Sequence, residues 1–535
     1  MDKEVLDEIR KKGLLLEREV FEVLDSFNDA KTAKNFLEQL EKISGQKFIT
    51  KGALTKNVEY VKEFVSQLPG ENKNLVEKVF VNLGVSFEVR SEKEVVDKDG
   101  PGESPVRPQL NYKIFYSETA ADKKLEVKDF TGHFRARYQQ LQGMLMQRGE
   151  IQKNLVSINK ISSERASLSI IGIVKEKRIT KNKNMMITFE DLTGEIRALV
   201  KVDNEEIFNK ADDLQLDDIV GVKASGNRDF LFIHDIFYPD AMIFEKIRFD
   251  EDISVAFVSD THCGSDRHLT KSFMKFIDWI ASEDEAAKKI KYVFFVGDSV
   301  DGIGVFPGQE EVLNLKSMGD QYELLASYFK KVPKDKTIFM CPGQHDATRV
   351  AEPQPIISRK YAPQLYEIEN LVLVTNPTMV KLLEGEKEFK VLMYHGASIH
   401  NFINEIKDLR LMKAHKCPAK AIEQMLKRRH LAPTHGSPTG IYIPNAEADP
   451  LVISEVPDVL CTGEVHRLDI SSYNGVLIIT GSCWQAQTPF EEKVGNEPDP
   501  CKVPVLNLKT RELKIFDFRD ESECDERGGW KGGEL

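Results

Sequence analysis

Between residues 253 and 466, five apolar runs each stop at side chains that can hold a metal ion. Residues 254–259 (SVAFVS) lead into Asp260 and His262. Residues 292–296 (YVFFV) are followed by Gly297 and Asp298. Residues 337–341 (TIFMC) are followed by Gly343, Gln344, His345 and Asp346. Residues 391–394 (VLMY) lead to His395 and Gly396, and residues 458–461 (DVLC) to Gly463, Glu464 and His466. Carboxylates mixed with imidazoles suit borderline divalent ions such as Mn²⁺, Fe²⁺ or Zn²⁺. Asp260, His262, Asp298, Gln344, His395, Glu464 and His466 are too many ligands for one tetrahedral site. They fit two ions about 4 Å apart, bridged by one carboxylate. Such a pair generates hydroxide near neutral pH and clamps a phosphate for in-line attack. His345, followed by Asp346, reads as a general acid whose imidazole a carboxylate holds in one tautomer. Each fragment alone is unspecific, since D-x-H is common in caps and turns and a single histidine is usually a satisfied core group. The ordered series D-x-H, G-D, G-Q-H-D, H-G and G-x-x-H is specific. His268, His400, His415, His430 and His435 fall outside it and read as surface or structural residues.

Groups so far apart in the chain meet only if the five runs are strands of an α/β fold. In open α/β sheets, ligands collect beyond the carboxyl ends of the strands. Five loops along one sheet edge are therefore expected to converge, with glycines allowing tight turns and close approach to the ions. From about residue 250, apolar runs alternate with helical stretches, which predicts an α/β domain over 248–519. Upstream, short strand patterns at 167–174, 185–189, 196–202, 219–222 and 230–236 fit a small barrel of oligonucleotide/oligosaccharide-binding (OB) type. That barrel is expected within a domain spanning 112–247. Residues 1–88 read as a helical module, with Val5, Ile9, Leu16, Val20, Val23, Leu24 and Phe27 near helical spacing. Further helical patterns cover 32–43, 53–68 and 75–83. No site residues cluster in this module. Residues 89–111, rich in charge, Gly and Pro, read as a linker. Residues 520–535 read as an acidic flexible tail.

The chain has 535 residues, which suggests two to four domains. Its 41% hydrophobic and 30% charged residues exclude a mostly disordered chain. No apolar run approaches the ~18 residues of a membrane helix, and the charged start shows no secretory signal. A cytoplasmic protein without a membrane partner is expected. Seven dispersed cysteines without a CxxC pair read as reduced thiols. A net charge of −12 argues against a protein that coats nucleic acid by charge alone. Residues 135–183 are locally basic, with eleven Lys or Arg against three Glu. They read equally as a phosphate-contact surface or a solvated face. Lys427, Arg428, Arg429 and His430 fit phosphate contact, a subunit contact or a helix-end charge.

At these motifs the chain resembles the calcineurin-like metallophosphoesterases. More narrowly, it is similar to the small, proofreading-exonuclease subunits of archaeal family-D DNA polymerases. The match is carried by residues 258–265 (VSDTHCGS), 297–304 (GDSVDGIG), 342–349 (PGQHDATR) and 351–355 (AEPQP). It continues in 425–433 (MLKRRHLAP) and 484–488 (WQAQT). The resemblance implies a two-sheet sandwich flanked by helices in the C-terminal domain. It also implies a heterodimer with a large polymerase subunit and removal of nucleotides from DNA 3′ ends with two Mn²⁺-type ions, Mg²⁺ being the alternative. A sliding clamp is a further partner the resemblance allows, although no clamp-binding peptide stands out. Carried over by position, Asp260, His262 and His466 hold one ion and Asp298 bridges. Gln344, His395 and Glu464 hold the other. His345 assists the leaving 3′ oxygen, oriented by Asp346. The family pattern has Asn at the position of Gln344 and His at that of Glu464. A longer amide and a third carboxylate predict a slower site, since misplacement by about 1 Å costs on the order of 100-fold in rate. The alternative reading is a weak or inactive scaffold subunit of the same polymerase. A free-standing phosphomonoesterase is a third reading, which the additional domains disfavour.

Overall fold

The computed structural model describes residues 30–44, 48–49, 111–119, 124–436, 441–494 and 496–523, with scattered positions among the first 24. The chain divides into two compact units, 1–107 and 108–535. In the first, helix α1 (Ala30–Ser44) buries Ala33, Phe36 and Leu37 at helical spacing. Leu15–Leu16 pairs in parallel with Phe48–Ile49, so Leu16, expected in a helix, lies in a short strand. The helical patterns at 53–68 and 75–83 and all of the linker but Asn111 fall outside the described residues.

The second unit opens with β1 (Tyr112–Tyr116) and helix α2 (Val127–Met146). A closed barrel follows, built from β2 (Ala166–Ile179), β3 (Met185–Glu190), β4 (Glu195–Val200), β5 (Ile219–Asn227) and β6 (Phe230–Phe237). Helix α3 (Glu205–Asp212) joins β4 to β5. The barrel order is β2-β3-β4-β6-β5, with β4 and β6 parallel. All five expected strand patterns are strands. The β3–β4 turn is held by Asp191, whose Oδ1 accepts from the Thr193 and Gly194 amides at 2.7 and 3.0 Å. Ile170, Ile187, Phe189, Ala198 and Val222 fill the interior.

The remaining strands form two six-stranded sheets. The first contains β7 (Ser254–Val258), β8 (Ile290–Val296), β9 (Thr337–Cys341), β10 (Leu371–Leu373), β16 (Lys502–Asn507) and β17 (Leu513–Asp517), in the order β10-β9-β8-β7-β16-β17. The second contains β1 with β11 (Thr378–Glu384), β12 (Lys387–Met393), β13 (Val459–Thr462), β14 (Asp469–Tyr473) and β15 (Val476–Thr480), in the order β14-β15-β13-β12-β11-β1. Strands β7, β8 and β9 are parallel, as are β12 and β13. Alternation along the strands makes three hydrophobic layers. Phe257, Phe294 and Phe339 of the first sheet meet Val391, Val459 and Ile479 of the second. Val258, Phe295 and Met340 turn outward onto α4 (Thr270–Ile280) and α5 (Met318–Phe329). Leu392, Leu460 and Ile478 face α6 (Ile399–Glu405) and α7 (Ala419–Arg428). Buried on both faces, the central strands read as unbroken apolar runs.

Three expectations are corrected here. The five ligand-bearing strands do not share one sheet: β7, β8 and β9 lie in one and β12 and β13 in the other. The segment 112–116, expected in the barrel domain, pairs antiparallel with β11 as an edge strand of the second sheet. The basic cluster at the end of α7, left open between a phosphate contact, a subunit contact and a helix-end charge, is consumed internally. Arg428 Nε donates to Asp218 Oδ1 at 2.9 Å, Lys427 pairs with Asp213, Arg429 Nε donates to the Ile453 carbonyl at 2.7 Å, and His430 Nε2 meets Asp449 Oδ2 at 2.8 Å. Arg137, counted in the basic stretch, is buried against the same Asp449. Of the expected tail, Glu523 is buried. It accepts from the Lys271 and Ser272 amides at 2.8 and 3.0 Å at the start of α4.

Candidate metal centre

Three of the five ligand-bearing loops carry their ligands on left-handed residues. Asp260, His262, Asp298, Glu464 and His466 all have positive φ, between 45° and 71°. Such conformations are rare outside glycine and cluster where a surrounding structure enforces them. Here loop-to-loop hydrogen bonds do so: the Asp260 amide donates to Gly297 O at 3.1 Å and the His262 amide to Asp298 O at 3.0 Å. The Glu464 amide donates to Asp260 Oδ1 at 3.1 Å, and the His345 amide to Asp298 Oδ1 at 2.9 Å. Loops from both sheets are thereby tied into one cluster.

Glycines make room for it. A Cβ on Gly297 would lie 2.1 Å from His395 Nδ1, and one on Gly343 2.2 Å from Asp298 Oδ1. A Cβ on Gly463 would lie 2.5 Å from Asp260 Oδ2. The side chains fall into overlapping groups whose ligand atoms lie within 4.8 Å of one another: Asp260, His262 and His466, and Asp260, Asp298 and His395. His395 Nε2 is 3.2 Å from Asp298 Oδ2 and 3.3 Å from Glu464 Oε2. His466 Nε2 is 3.6 Å from Asp260 Oδ1.

Whether cations fit can be judged from the imidazoles. His395 Nδ1 faces the Val296 carbonyl at 2.9 Å, so it must donate, and its buried Nε2 points at the Asp298 and Glu464 carboxylates, where an added proton or a cation can sit. His262 Nδ1 donates to Asp301 Oδ1 and His466 Nδ1 to Glu491 Oε1, both at 3.0 Å. That leaves the Nε2 lone pairs of His262 and His466 facing each other at 3.1 Å, which only a shared proton or a cation stabilises. Asp260 Oδ2 is buried without a partner, as are both amide atoms of Gln344. The donor set fits divalent ions.

Electrostatics agree. Burial opposes ionisation of Asp298, but His395 and His345 beside it outweigh burial and hold its carboxyl well below the usual carboxylate range. Burial likewise opposes charge on His395, yet Asp298, Glu464 and Asp260 raise its pKa well above the ordinary histidine value. His466, despite burial, is raised to about 9 by Glu491 and Asp260. These protons occupy the sites that cations take, so binding and proton release are coupled.

All seven expected ligands lie at the ends of the five converging strands, six of them through contacts given above. Gln344 sits between Gly343 and His345 with its amide buried. The expected Asp346–His345 pairing does not form. Asp346 instead accepts from the Gly343 and Ser299 amides at 2.9 and 3.2 Å and from Tyr322 Oη at 3.1 Å, which fixes the loop. Burial, then the charge of Asp298, pushes its pKa up to about 7. His345 Nδ1 donates to the Asp301 carbonyl at 2.6 Å. Three contributors were missed. Asp301 orients His262, and the second Asp of 298-DSVD-301 was the available signal. Glu491 orients His466 from across a loop with no local motif. His400, read as surface or structural, places Nε2 3.6 Å from Glu464 Oε1.

Comparison with known proteins bears on the same residues. Residues 255–468 match the family model for the B-subunits of DNA polymerases alpha and epsilon. A DNA polymerase II small subunit of Methanothermobacter thermautotrophicus is 36% identical over 441 residues, 81% of this chain and 88% of that one. One from Pyrococcus abyssi is 32% identical over 461 residues, 82% of this chain and 72% of that one. One from Halobacterium salinarum is 34% identical over 396 residues, 74% and 75% respectively.

Proposed function

Because the chain belongs to the small-subunit family of archaeal DNA polymerase II, the family-D enzyme, we propose that it contributes a divalent-metal-dependent nuclease that removes nucleotides from DNA 3′ ends. The observation that carries this reading is the convergence of Asp260, Asp298, His262, His395 and His466, with the Nε2 atoms of His262 and His466 aimed at each other at 3.1 Å. The partner it implies is the large polymerase subunit.

When bound, two such ions, Mn²⁺ by choice of ligands and Mg²⁺ as the alternative, supply Lewis acidity and lower the pKa of a water. Asp260, His262 and His466 would hold one, His395, Glu464 and Gln344 the other, with Asp298 between them. The chain's own residues do the rest. His345, despite burial, has its pKa raised by Asp298 and Asp301, which favours the imidazolium form a general acid needs. Its Nδ1–H is engaged by the Asp301 carbonyl, which leaves Nε2–H, 3.9 Å from Asp298 Oδ2, to protonate a leaving 3′ oxygen. Asp346, bonded to two amides and Tyr322, keeps that loop in place.

The test is degradation of 3′-labelled DNA by the purified chain, alone and with its large subunit, in Mn²⁺, Mg²⁺ or chelator. Mn²⁺-dependent shortening from the labelled end is expected, and Asp298→Asn should remove it by at least about 100-fold. Shortening that survives chelator, or that Asp298→Asn leaves intact, rules the reading out.

A further inference from the structure

Behind the loop that carries His395 lies a buried carboxyl group that takes no part in holding the ions. Glu352, Tyr394 and Ser398 are all buried. Tyr394 Oη lies 3.0 Å from Glu352 Oε2 and 3.0 Å from Ser398 Oγ. Ser398 Oγ in turn lies 2.5 Å from the Leu431 carbonyl oxygen. Each of these oxygen-to-oxygen gaps is short enough to require a proton. Tyr394 and Ser398 supply one hydroxyl proton each, and the Leu431 carbonyl supplies none. The remaining proton can only be a carboxyl proton on Glu352. An ionised Glu352 would take the Tyr394 proton and leave facing lone pairs at one of the other two gaps. The surroundings agree. Among the described residues Glu352 Oε1 has no hydrogen-bond partner, and the Asn376 amide nearby is engaged by Gln354 Oε1 at 2.7 Å. Burial pushes the Glu352 pKa up to about 8, against the opposing effects of Tyr394 and His395. The other ionisable groups that face it are Tyr394, itself raised by burial, and His395 and Glu464 in the metal loops.

The acid sits where it can hold His395 in place. Tyr394 and Ser398 bracket the turn 394–398, and their side chains close it, with the Ser398 amide also donating to Tyr394 Oη at 3.4 Å. Glu352 ties that closure to a separate stretch of chain. Its amide donates to the Ile441 carbonyl at 2.9 Å, and its carbonyl accepts from the Ile443 amide at 2.8 Å. The same segment reaches His395 by a second route, since Asn376 Oδ1 accepts from the His395 amide at 2.9 Å. Gln354 Nε2 also donates to the Gly343 carbonyl at 2.9 Å, so residues 352–354 brace both the His395 and the Gln344 loops.

We propose that Glu352 is a positioning residue that works as a neutral carboxylic acid, donating its proton to Tyr394 and so fixing the turn that aims His395 at its ion. The proposal rests on the metal-centre reading and adds to it a limit at high pH. A buried polar chain rigidifies its surroundings only while every member is satisfied. Ionisation of Glu352 breaks the chain and places another buried negative charge near Glu464, so the turn loosens and His395 Nε2 loses its aim. The folded chain keeps this proton from pH 4.5 to about 8, where the unfolded chain has released it. The stability it confers therefore falls as pH rises through that window, and the hold on His395 is lost above it.

The test is calorimetric Mn²⁺ binding to the full chain under argon, parent against Glu352→Gln, whose amide donates to Tyr394 and does not ionise. In neutral buffer the two should bind alike. At about pH 9, roughly nine-tenths of the parent is ionised, so its affinity should fall about tenfold below that of the variant. Titration of His395 and His466 is common to both proteins and cancels in the comparison. Tyr394→Phe cuts the chain without removing the acid and should bind Mn²⁺ more weakly than the parent already in neutral buffer. Infrared difference spectra of parent minus Glu352→Gln in neutral buffer should show a protonated carboxyl band. Parallel affinities of parent and Glu352→Gln at both pH values overturn the proposal, as does a carboxylate band in place of the carboxyl one or a Tyr394→Phe affinity equal to the parent's. A parent that binds no Mn²⁺ at either pH sinks the metal reading and this role with it, whereas parallel affinities sink this role alone.

Discussion

Under the proposed nuclease, Glu464 and Gln344 would set how strongly the centre polarises a phosphodiester. Glu464 brings a third carboxylate within 3.3 Å of His395 Nε2, beside Asp298 and Asp260. Added negative charge weakens the Lewis acidity of bound ions and raises the pKa of their water. Gln344 reaches one methylene further than Asn would. The Gln344→Asn, Glu464→His double variant should therefore cleave 3′ ends faster than the parent, on the order of tenfold, at saturating Mn²⁺. Single-turnover rates of the two proteins decide this. A parent already as fast as its variant removes the charge argument. His400 bears on the same point, since its imidazole lies within reach of Glu464 and offsets part of that charge when protonated.

At the scale of elements, the site depends on strands that end abruptly and on glycines that leave no side chain in the way. Gly297 has φ of 76°, and its missing Cβ leaves space that His395 Nδ1 fills. Gly297→Ala combines backbone strain with a clash against a buried ring, a cost of about 3 kcal/mol. A lower melting temperature together with loss of Mn²⁺ binding by calorimetry is expected. Unaltered Mn²⁺ affinity would show that His395 is not held by that contact. The turns at Asp260, His262, Asp298, Glu464 and His466 follow the same logic: strain is tolerated where loops from two sheets hydrogen-bond each other into place.

Across the whole second unit, a buried ionic seam joins the barrel to the helices of the second sheet. Arg428 is buried with Asp218, while Lys427 meets Asp213 and Arg429 caps the Ile453 and Ser454 carbonyls. Removing one member of such a pair leaves a buried charge uncompensated, at about 3–5 kcal/mol. Arg428→Ala should thus lower the melting temperature and expose the barrel to limited proteolysis. Arg428→Met with Asp218→Leu should recover most of the loss, because an apolar pair replaces both charges. If Arg428→Ala weakened DNA binding while leaving the melt unchanged, the cluster would be a phosphate contact after all. Among the described residues no helix is long and apolar enough to cross a membrane.

The strand runs, the residues at their ends and the barrel strands were legible in the sequence because each is local: an apolar run and the polar group that stops it are neighbours in the chain. The family was legible for the same reason, since its motifs are short and ordered. What the tertiary structure decided is every relation between distant residues. Splitting the five strands between two sheets, turning Asp346 toward backbone amides instead of His345, bringing Asp301 and Glu491 behind His262 and His466, and burying the 427–430 cluster against Asp213, Asp218 and Asp449 all follow from packing. A cation in a sequence reads alike whether it faces solvent or a buried carboxylate, and only the fold supplies or withholds the partner.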